Sequence, residues 1–162
     1  MAKHQFKDFL MTVDDDYKDF VTTVHELLQQ FDTKVRIQLS KANGFNVSYS
    51  QQPKTTWYIL SFSFRNGELM VRVHPENYAK YLDVLNNMPK KVVEHINKAD
   101  ICKKLIDPRK CWDTCEPGYD FHIGENHYQK CRYSCFKLKV DSENIPFLLE
   151  LIESECKERF SA

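Results

Sequence analysis

Residues 57–74 read WYILSFSFRNGELMVRVH and contain the strongest fold signal in this chain of 162 residues. In the first half of the stretch, every second position carries a large apolar side chain, at Leu60, Phe62 and Phe64. This period of two is typical of a strand that buries one face. Asn66-Gly67 follows, a dipeptide that favours the tight turn between two antiparallel strands. The alternation then resumes from Leu69 to Val73. The stretch therefore predicts a β-hairpin with one apolar face.

Two further strands are predicted immediately before this hairpin. Residues 34–39 alternate polar with apolar side chains, and residues 47–49 continue the pattern after the turn signal Asn43-Gly44. Because the connections are short, each strand is expected to pair with the next one along the chain. Together with the hairpin, the two strands predict an antiparallel four-stranded meander.

Helical periodicity flanks the predicted sheet on both sides. Residues 14–31 repeat apolar side chains at spacings of three and four, and three aspartates stand at the start, where they suit a helix N-terminus. Shorter patterns predict a helix from Pro75 to Asn86 and another after Pro89. Ser142 marks the start of a last helix. These elements predict an α+β fold in which the helices pack on one face of the meander.

The domain organisation follows from the same patterns. We expect a single α+β domain over residues 1–162, since no linker or repeat interrupts the chain. Residues 102–139, called the cysteine segment from here on, are expected to form a cysteine-rich elaboration of that domain. This segment contains a second, smaller strand-turn-strand pattern before the C-terminal helix.

The composition is typical of a globular domain. Aromatic residues make up 13% of the chain, and only four glycines and six prolines are present, which argues against disorder. No apolar run approaches the roughly 20 residues that span a bilayer, and no signal-peptide pattern is visible. We therefore expect a cytoplasmic protein without a membrane partner. Its partner would be another protein or a small-molecule ligand.

Opposite charges balance in the whole chain but not along it. The 23 Lys and Arg equal the 23 Asp and Glu, whereas residues 1–32 carry three bases against seven acids. Residues 33–101 carry ten bases against five acids, and residues 140–162 carry two against six. The bases are dispersed, and the dense basic stripe of most nucleic-acid-binding domains is absent. We therefore expect no nucleic-acid partner.

All six cysteines lie beyond residue 101, and five of them fall within 34 residues. In a protein expected to be cytoplasmic, such a cluster indicates metal binding or reduced thiols. If residues 131–138 form a strand, Cys131 and Cys135 lie about 13 Å apart, too far for two ligands of one zinc ion. The predicted zinc ligands are therefore Cys102, Cys111, Cys115 and Cys131.

This predicted zinc site is structural, because four thiolates leave no open position for water or substrate. It would pin a loop in which Ile123 is the only large aliphatic residue between residues 107 and 135. Two alternatives remain for the same cysteines: unliganded reduced thiols, or disulfides with redox chemistry. Cys156 is expected to be a core residue of the last helix.

The cysteines stand within a set of short motifs: ICKKLIDP at residues 101–108, Cys111-x3-Cys115, Gly118-Tyr119-x-Phe121 and Lys130-Cys131-Arg132. This set resembles an uncharacterised group of small cysteine-containing bacterial proteins of the Firmicute type. The resemblance extends over roughly residues 35–155 and implies a shared domain with the same four cysteines. More loosely, the order of helices and strands is similar to the YjbR-type α+β fold, which implies no activity.

The first functional interpretation is a non-enzymatic binding or accessory domain that contains a structural zinc site with four cysteine ligands. A small-molecule sensor or ligand-binding domain is an alternative. Its ligand would use the sheet face that the helices leave open, where Tyr49, Trp57 and His74 are candidate contact residues.

A cysteine-based enzyme or redox protein is a further alternative. Its nucleophile would be Cys135, paired with His122 or His127 of the small hairpin. No GxSxG motif, Walker loop or HExxH motif supports a particular reaction.

Overall fold

The computed structural model describes residues 3–51 and 58–161 of the chain. Two helices come first, α1 (Phe6–Leu10) and α2 (Asp15–Gln29). Four strands follow them: β1 (Thr33–Ser40), β2 (Gly44–Gln51), β3 (Tyr58–Arg65) and β4 (Glu68–Val73). The later elements are α3 (Leu82–Asn86), α4 (Lys90–Lys98), α5 (Lys103–Ile106), β5 (Tyr119–Ile123), β6 (Asn126–Lys130), β7 (Lys137–Lys139) and α6 (Ile145–Arg159).

The predicted meander is confirmed and is extended by one strand. The main sheet has the order β1-β2-β3-β4-β7, and all its neighbouring strands are antiparallel. Asn66 and Gly67 turn the central hairpin with φ angles of 52° and 79°, the left-handed conformation that such two-residue turns require. Helices and an antiparallel sheet make this an α+β fold, as predicted.

The register places an apolar row and a polar row of side chains on opposite faces of the five strands. The apolar row consists of Ile37, Val47, Phe62, Val71 and Leu138. The adjacent polar row consists of Arg36, Ser48, Ser61, Arg72 and Lys137. Because successive residues of a strand point to opposite faces, the apolar row lies in the core and the polar row does not.

Helices α1, α2 and α6 contribute the other side of the core. Phe9 of α1 stacks on Phe62 with a distance of 5.7 Å between ring centroids. Phe20 of α2 meets the same ring edge-on at 6.2 Å. Leu148 and Leu151 of α6 are fully buried. The predicted packing of helices on one face of the sheet follows from these contacts.

The strand predicted for residues 131–138 is mostly a turn. The chain turns from Arg132 to Phe136, and only Lys137–Lys139 pairs with β4. The N–H of Cys135 donates to the carbonyl of Cys131 at 2.9 Å, as in one turn of helix. The separation of about 13 Å expected between these cysteines is therefore wrong, because it requires an extended chain.

Two helix boundaries also differ from the prediction. After Pro75 the chain forms a short 3-10 turn at Tyr78–Lys80, and the α-helix begins only at Leu82. The sequence also predicts that Cys102 ends a helix, whereas Cys102 immediately precedes α5. Its neighbour Ile101 forms a β-bridge with Lys130, which holds this part of the cysteine segment against the small β5-β6 hairpin.

Candidate functional site

A cavity of about 630 Å³, called the pocket from here on, opens where one end of the main sheet meets α6 and the cysteine segment. Its lining combines basic, acidic and aromatic side chains. The lining residues are Gln51, Tyr58, His74, Glu76, Asn77, Thr114, Glu116, Arg132, Tyr133 and Arg159. A volume of this size suits a small organic molecule.

One side of the pocket is held by a buried ion pair of α6. Glu155 has no exposed surface and accepts from Arg159 Nε at 2.9 Å and from the Tyr81 hydroxyl at 2.6 Å. Asn77 donates to the same carboxylate through its backbone N–H at 2.9 Å and its amide at 3.0 Å. Arg159 Nη2 also donates to the carbonyl of His74 at 2.8 Å. These bonds fix Arg159 and Asn77 at the pocket wall.

The opposite side of the pocket is formed by Arg132, whose side chain is only 10% exposed. Its guanidinium pairs with Glu76, and it donates to a Glu116 carboxylate oxygen and to the Pro117 carbonyl, each at 3.1 Å. The side chains of Glu76 and Glu116 are 41% and 69% exposed. Arg132 is therefore a nearly buried cation whose counter-ions lie at the surface.

His74 lies between these two arginines and is only 7% exposed. The Tyr58 and Tyr133 rings lie on either side of its imidazole, each at a centroid distance of 6.4 Å. Neither ring nitrogen has a hydrogen-bond partner among the described residues. Burial is the largest cause that lowers the pKa of His74 to about 3, followed by the charges of Arg132, Arg72 and Arg159. The imidazole is therefore neutral near neutral pH, with one donor and one acceptor nitrogen.

The cysteine segment forms the outer wall of the pocket through Thr114 and Glu116. Lys104 holds this stretch, because its ammonium donates to the carbonyls of Trp112 at 3.1 Å and Asp113 at 3.2 Å, and also to that of Cys115. A lysine with three donors thus carries part of the role that the sequence assigned to zinc.

The predicted zinc ligands are gathered in this segment but are not equivalent. Cys111 lies near Cys115, and burial, this neighbour and the charge of Cys131 all raise the pKa of Cys115. The Cys115 thiol itself donates to the carbonyl of Glu116 at 3.4 Å. Cys102 is buried, and its sulfur accepts from the N–H of Gly118 at 3.2 Å. All six cysteines are free thiols. The segment therefore brings three of the four thiols near one another and turns the fourth toward Gly118.

A zinc ion needs four donors that converge on one point. Within residues 3–51 and 58–161, no group of three or more His, Cys, Asp or Glu side chains is arranged to hold a metal ion. The arrangement of Cys102, Cys111, Cys115 and Cys131 therefore does not fit a zinc ion as it stands. The predicted zinc stays a prediction.

The remaining cysteines and histidines do not form the nucleophile pair considered above. Cys135 has no exposed surface, and burial raises the pKa of its thiol. His122 and His127 stack on each other at 4.3 Å on the exposed face of the β5-β6 hairpin, and His127 bonds to Asp120 at 2.5 Å. Cys156 is a fully buried core residue, as expected, with a pKa raised by burial to about 12.

Of the three candidates for the open sheet face, the two that the structure describes lie in different environments. His74 lines the pocket. Tyr49 lies in the core instead, because it belongs to the apolar side of β2, and its hydroxyl bonds to His25 Nδ1 at 2.7 Å. Trp57 lies outside the described residues. The sequence did not indicate a pocket role for Arg132 or Arg159.

Comparison with known proteins adds no relative, since no family model, no curated protein and no solved structure matches the chain. The resemblance to the Firmicute-type group thus stays a prediction. Among the described residues, no helix is both long and apolar enough to cross a membrane.

Gly118 gives a test of how the cysteine segment packs. A Cβ at this position would overlap the carbonyl oxygen of Lys130 and approach the backbone nitrogen of Arg132 to 3.1 Å. We expect Gly118→Ala to lower the free energy of unfolding by roughly 1–3 kcal/mol, as overpacking typically does. Urea denaturation measures this. The exposed neighbour change Asp113→Ala should stay within about 0.5 kcal/mol of wild type, and equal effects of the two changes would contradict the packing described.

His74 gives a test of the pocket's electrostatics. Its folded-state pKa of about 3 lies below the ordinary 6.5, so below pH 6.5 the unfolded chain binds a proton that the folded chain does not. The free energy of unfolding should therefore decrease as the pH is lowered. This histidine should contribute about 2 kcal/mol of the loss at about pH 5.

Urea denaturation of wild type and His74→Gln, measured from above pH 6.5 down to about pH 5, isolates the contribution of His74 to the loss of stability. Carboxylates titrate in both proteins, so the difference between the two curves reports on His74. We expect the variant to lose less stability than wild type on acidification. Parallel curves would show that His74 is protonated as readily in the folded chain as in the unfolded chain.

Proposed function

We propose that this chain is a non-enzymatic binding domain whose pocket takes a small organic molecule with a carboxylate or phosphate group. The observation that carries the proposal is the unpartnered, neutral His74 between Arg132 and Arg159 in a cavity of about 630 Å³. The ring nitrogens of His74 are not among the fully buried unpaired atoms of the described residues, so they are open to the pocket, where a ligand can pair with them in place of water.

The charges around His74 favour an anion. Every charged group that contributes to its lowered pKa is an arginine, namely Arg132, Arg72 and Arg159. The potential at the imidazole is therefore positive although two glutamates line the pocket. An anionic group placed there would accept charge-assisted hydrogen bonds, which are about twice as strong as neutral ones.

Arg132 is the anchor that a ligand can reach. Its partner Glu116 is 69% exposed, and an exposed ion pair contributes only about 0–1 kcal/mol. A ligand carboxylate or phosphate can therefore replace Glu116 at little cost. Arg159, by contrast, is committed to the buried Glu155 and serves to shape the wall.

The remaining lining supports recognition more than catalysis. Tyr58 and Tyr133 provide aromatic surface for the body of a ligand, and Asn77 and Thr114 provide polar atoms. A histidine with a pKa of about 3 is a weak base and is poorly matched to proton transfer near neutral pH. These features support binding of a ligand without its chemical conversion.

The test is a titration of the protein with inorganic phosphate and, separately, with citrate, followed by NMR of the imidazole nitrogens. We expect the His74 signal to shift in wild type. Arg132→Gln should weaken binding by about 10- to 150-fold, which corresponds to the roughly 1.5–3 kcal/mol of a hydrogen bond to a charged group. Glu116→Gln should strengthen binding, because it removes the competing carboxylate.

The matched control is Arg109→Gln, since Arg109 is a highly exposed arginine outside the pocket. This variant should bind both anions as wild type does. An unchanged His74 signal with both anions, or equal losses in the two arginine variants, would refute the proposal.

A structural zinc ion in the cysteine segment is a second candidate. The proximity of Cys111 to Cys115, with Cys131 close enough to affect the pKa of Cys115, favours it. The thiols would have to converge further than they do in this arrangement. Zinc binding would then hold the stretch that carries Glu116 against the pocket.

Elemental analysis of untagged, freshly reduced protein tests this candidate. If zinc makes the thiols converge, wild type and Cys156→Ala, whose sulfur lies in the core, should each contain about one zinc per chain. Cys111→Ser should lose the metal. Metal-free wild-type protein, or equal metal content in wild type and Cys111→Ser, would leave the cysteines as reduced thiols.

A further inference from the structure

The sheet face opposite the helices forms a polar trough. Its floor consists of small side chains of the two central strands: Asn46, Ser48, Ser61 and Ser63. Its rims consist of longer cationic side chains of the flanking strands: Lys34, Arg36, Arg72 and Lys137. None of these eight residues is buried. In the row that contains Arg36 and Arg72, the two rims are three inter-strand steps apart, about 14 Å.

The rim cations have no carboxylate within ion-pair distance among the described residues. Arg72 donates its Nε to the carbonyl of Tyr133 at 2.9 Å and lies over that ring at 5.8 Å. Burial and the nearby charges of Arg72 and Arg65 lower the pKa of Lys137. The cations thus repel one another, and an anion laid in the trough would relieve this repulsion.

Negative charge lies elsewhere on the molecule. At one end of the trough, Glu68 pairs with Lys139 at 3.0 Å. Half of the other acids belong to the helices, and the exposed run Asp14, Asp15 and Asp16 stands at the start of α2. Because α2 covers the other face of the sheet, these carboxylates do not neutralise the trough.

We propose, against the expectation from the dispersed bases of the sequence, that the trough binds the sugar–phosphate backbone of a nucleic acid. Lysine and arginine neutralise phosphates, and serine hydroxyls donate to phosphate oxygens. Protein partners usually need a buried apolar or aromatic anchor, and interfaces with nucleic acid are more polar and more positively charged. The row from Arg36 to Lys137 contains no apolar side chain.

The eight floor and rim residues include no aromatic side chain on which a base could stack, and the neighbouring Tyr133 ring already lies under Arg72. Base stacking supplies much of the affinity of single-strand binders, and contacts to base edges supply sequence specificity. Contacts to phosphates alone supply neither stacking energy nor sequence specificity. Binding in the trough is therefore independent of base sequence and strongly dependent on salt.

This proposal does not rest on the ligand proposed for the pocket. Arg72 belongs to the trough, and its charge also lowers the pKa of His74. A variant at Arg72 would therefore not distinguish the trough from the pocket. Arg36 and Lys137 lie on the trough and do not line the pocket. Variants at these two positions therefore test the trough alone.

The experiment is fluorescence anisotropy of a labelled oligouridylate and a labelled DNA duplex over a range of salt concentrations. If the four rim cations each neutralise one phosphate, affinity should fall roughly 50-fold for the single strand and roughly 150-fold for the duplex between about 50 and 200 mM salt. Arg36→Gln and Lys137→Gln should each weaken binding and reduce the log–log salt slope by about 1.

Lys18→Gln is the matched control, because Lys18 lies on α2 and pairs with Asp15 at 2.8 Å. It should leave affinity and slope unchanged, and equal circular dichroism spectra should show that all variants are folded. The proposal is overturned if neither nucleic acid binds at low salt, or if Lys18→Gln weakens binding as much as Arg36→Gln does. Polyglutamate that binds in place of both oligonucleotides, with losses at Arg36 and Lys137, would also overturn it and identify an acidic protein segment.

Discussion

The carboxylate of Glu155, which has no contact with solvent, determines how the last helix meets the sheet. A buried charge is tolerated only when its hydrogen bonds are satisfied, and here Arg159, Tyr81 and Asn77 supply four of them. Removing one partner of such a pair usually costs about 3–5 kcal/mol. Because Arg159 also holds the carbonyl of His74, the end of β4, the 3-10 turn and α6 form one connected unit. Deforming this side of the pocket would therefore require a large free energy.

The other side of the pocket is held more weakly. Arg132 is nearly buried, but its counter-ions Glu76 and Glu116 are largely in solvent, and exposed ion pairs are weak. The stretch that carries Glu116 is held by Lys104, which donates to three of its backbone carbonyls. Whatever fixes the cysteine segment, a lysine or a metal, thus sets the position of Glu116 at the pocket. Recognition of a ligand and order in the segment depend on the same few contacts.

Much of the fold could be predicted because strand alternation and helix periodicity are local signals, as the hairpin around Asn66-Gly67 illustrates. Strand β7 could not be predicted in the same way, since it is three residues long and pairs with β4 across more than sixty residues. The extended conformation expected after Cys131 is wrong for a related reason. The turn there places Cys135 in the core, whose contacts are distant in sequence. One feature of the sequence could have indicated the pocket: Glu155 lies on the buried face of α6, four residues before Arg159.

The neutral net charge conceals a local cluster of bases that only the strand register creates. Bases that stand one per strand along the chain become neighbours only when β1, β4 and β7 are aligned, and no composition count reveals that alignment. Arg72 then belongs to two sites, since it lies on the rim of the trough and its charge reaches His74. An anion in the trough would screen Arg72 and weaken the positive potential in the pocket. Because coupling between two binding equilibria is reciprocal, an anionic ligand in the pocket would weaken binding in the trough by the same factor. If both proposed sites bind anions, each ligand would therefore weaken the binding of the other through Arg72.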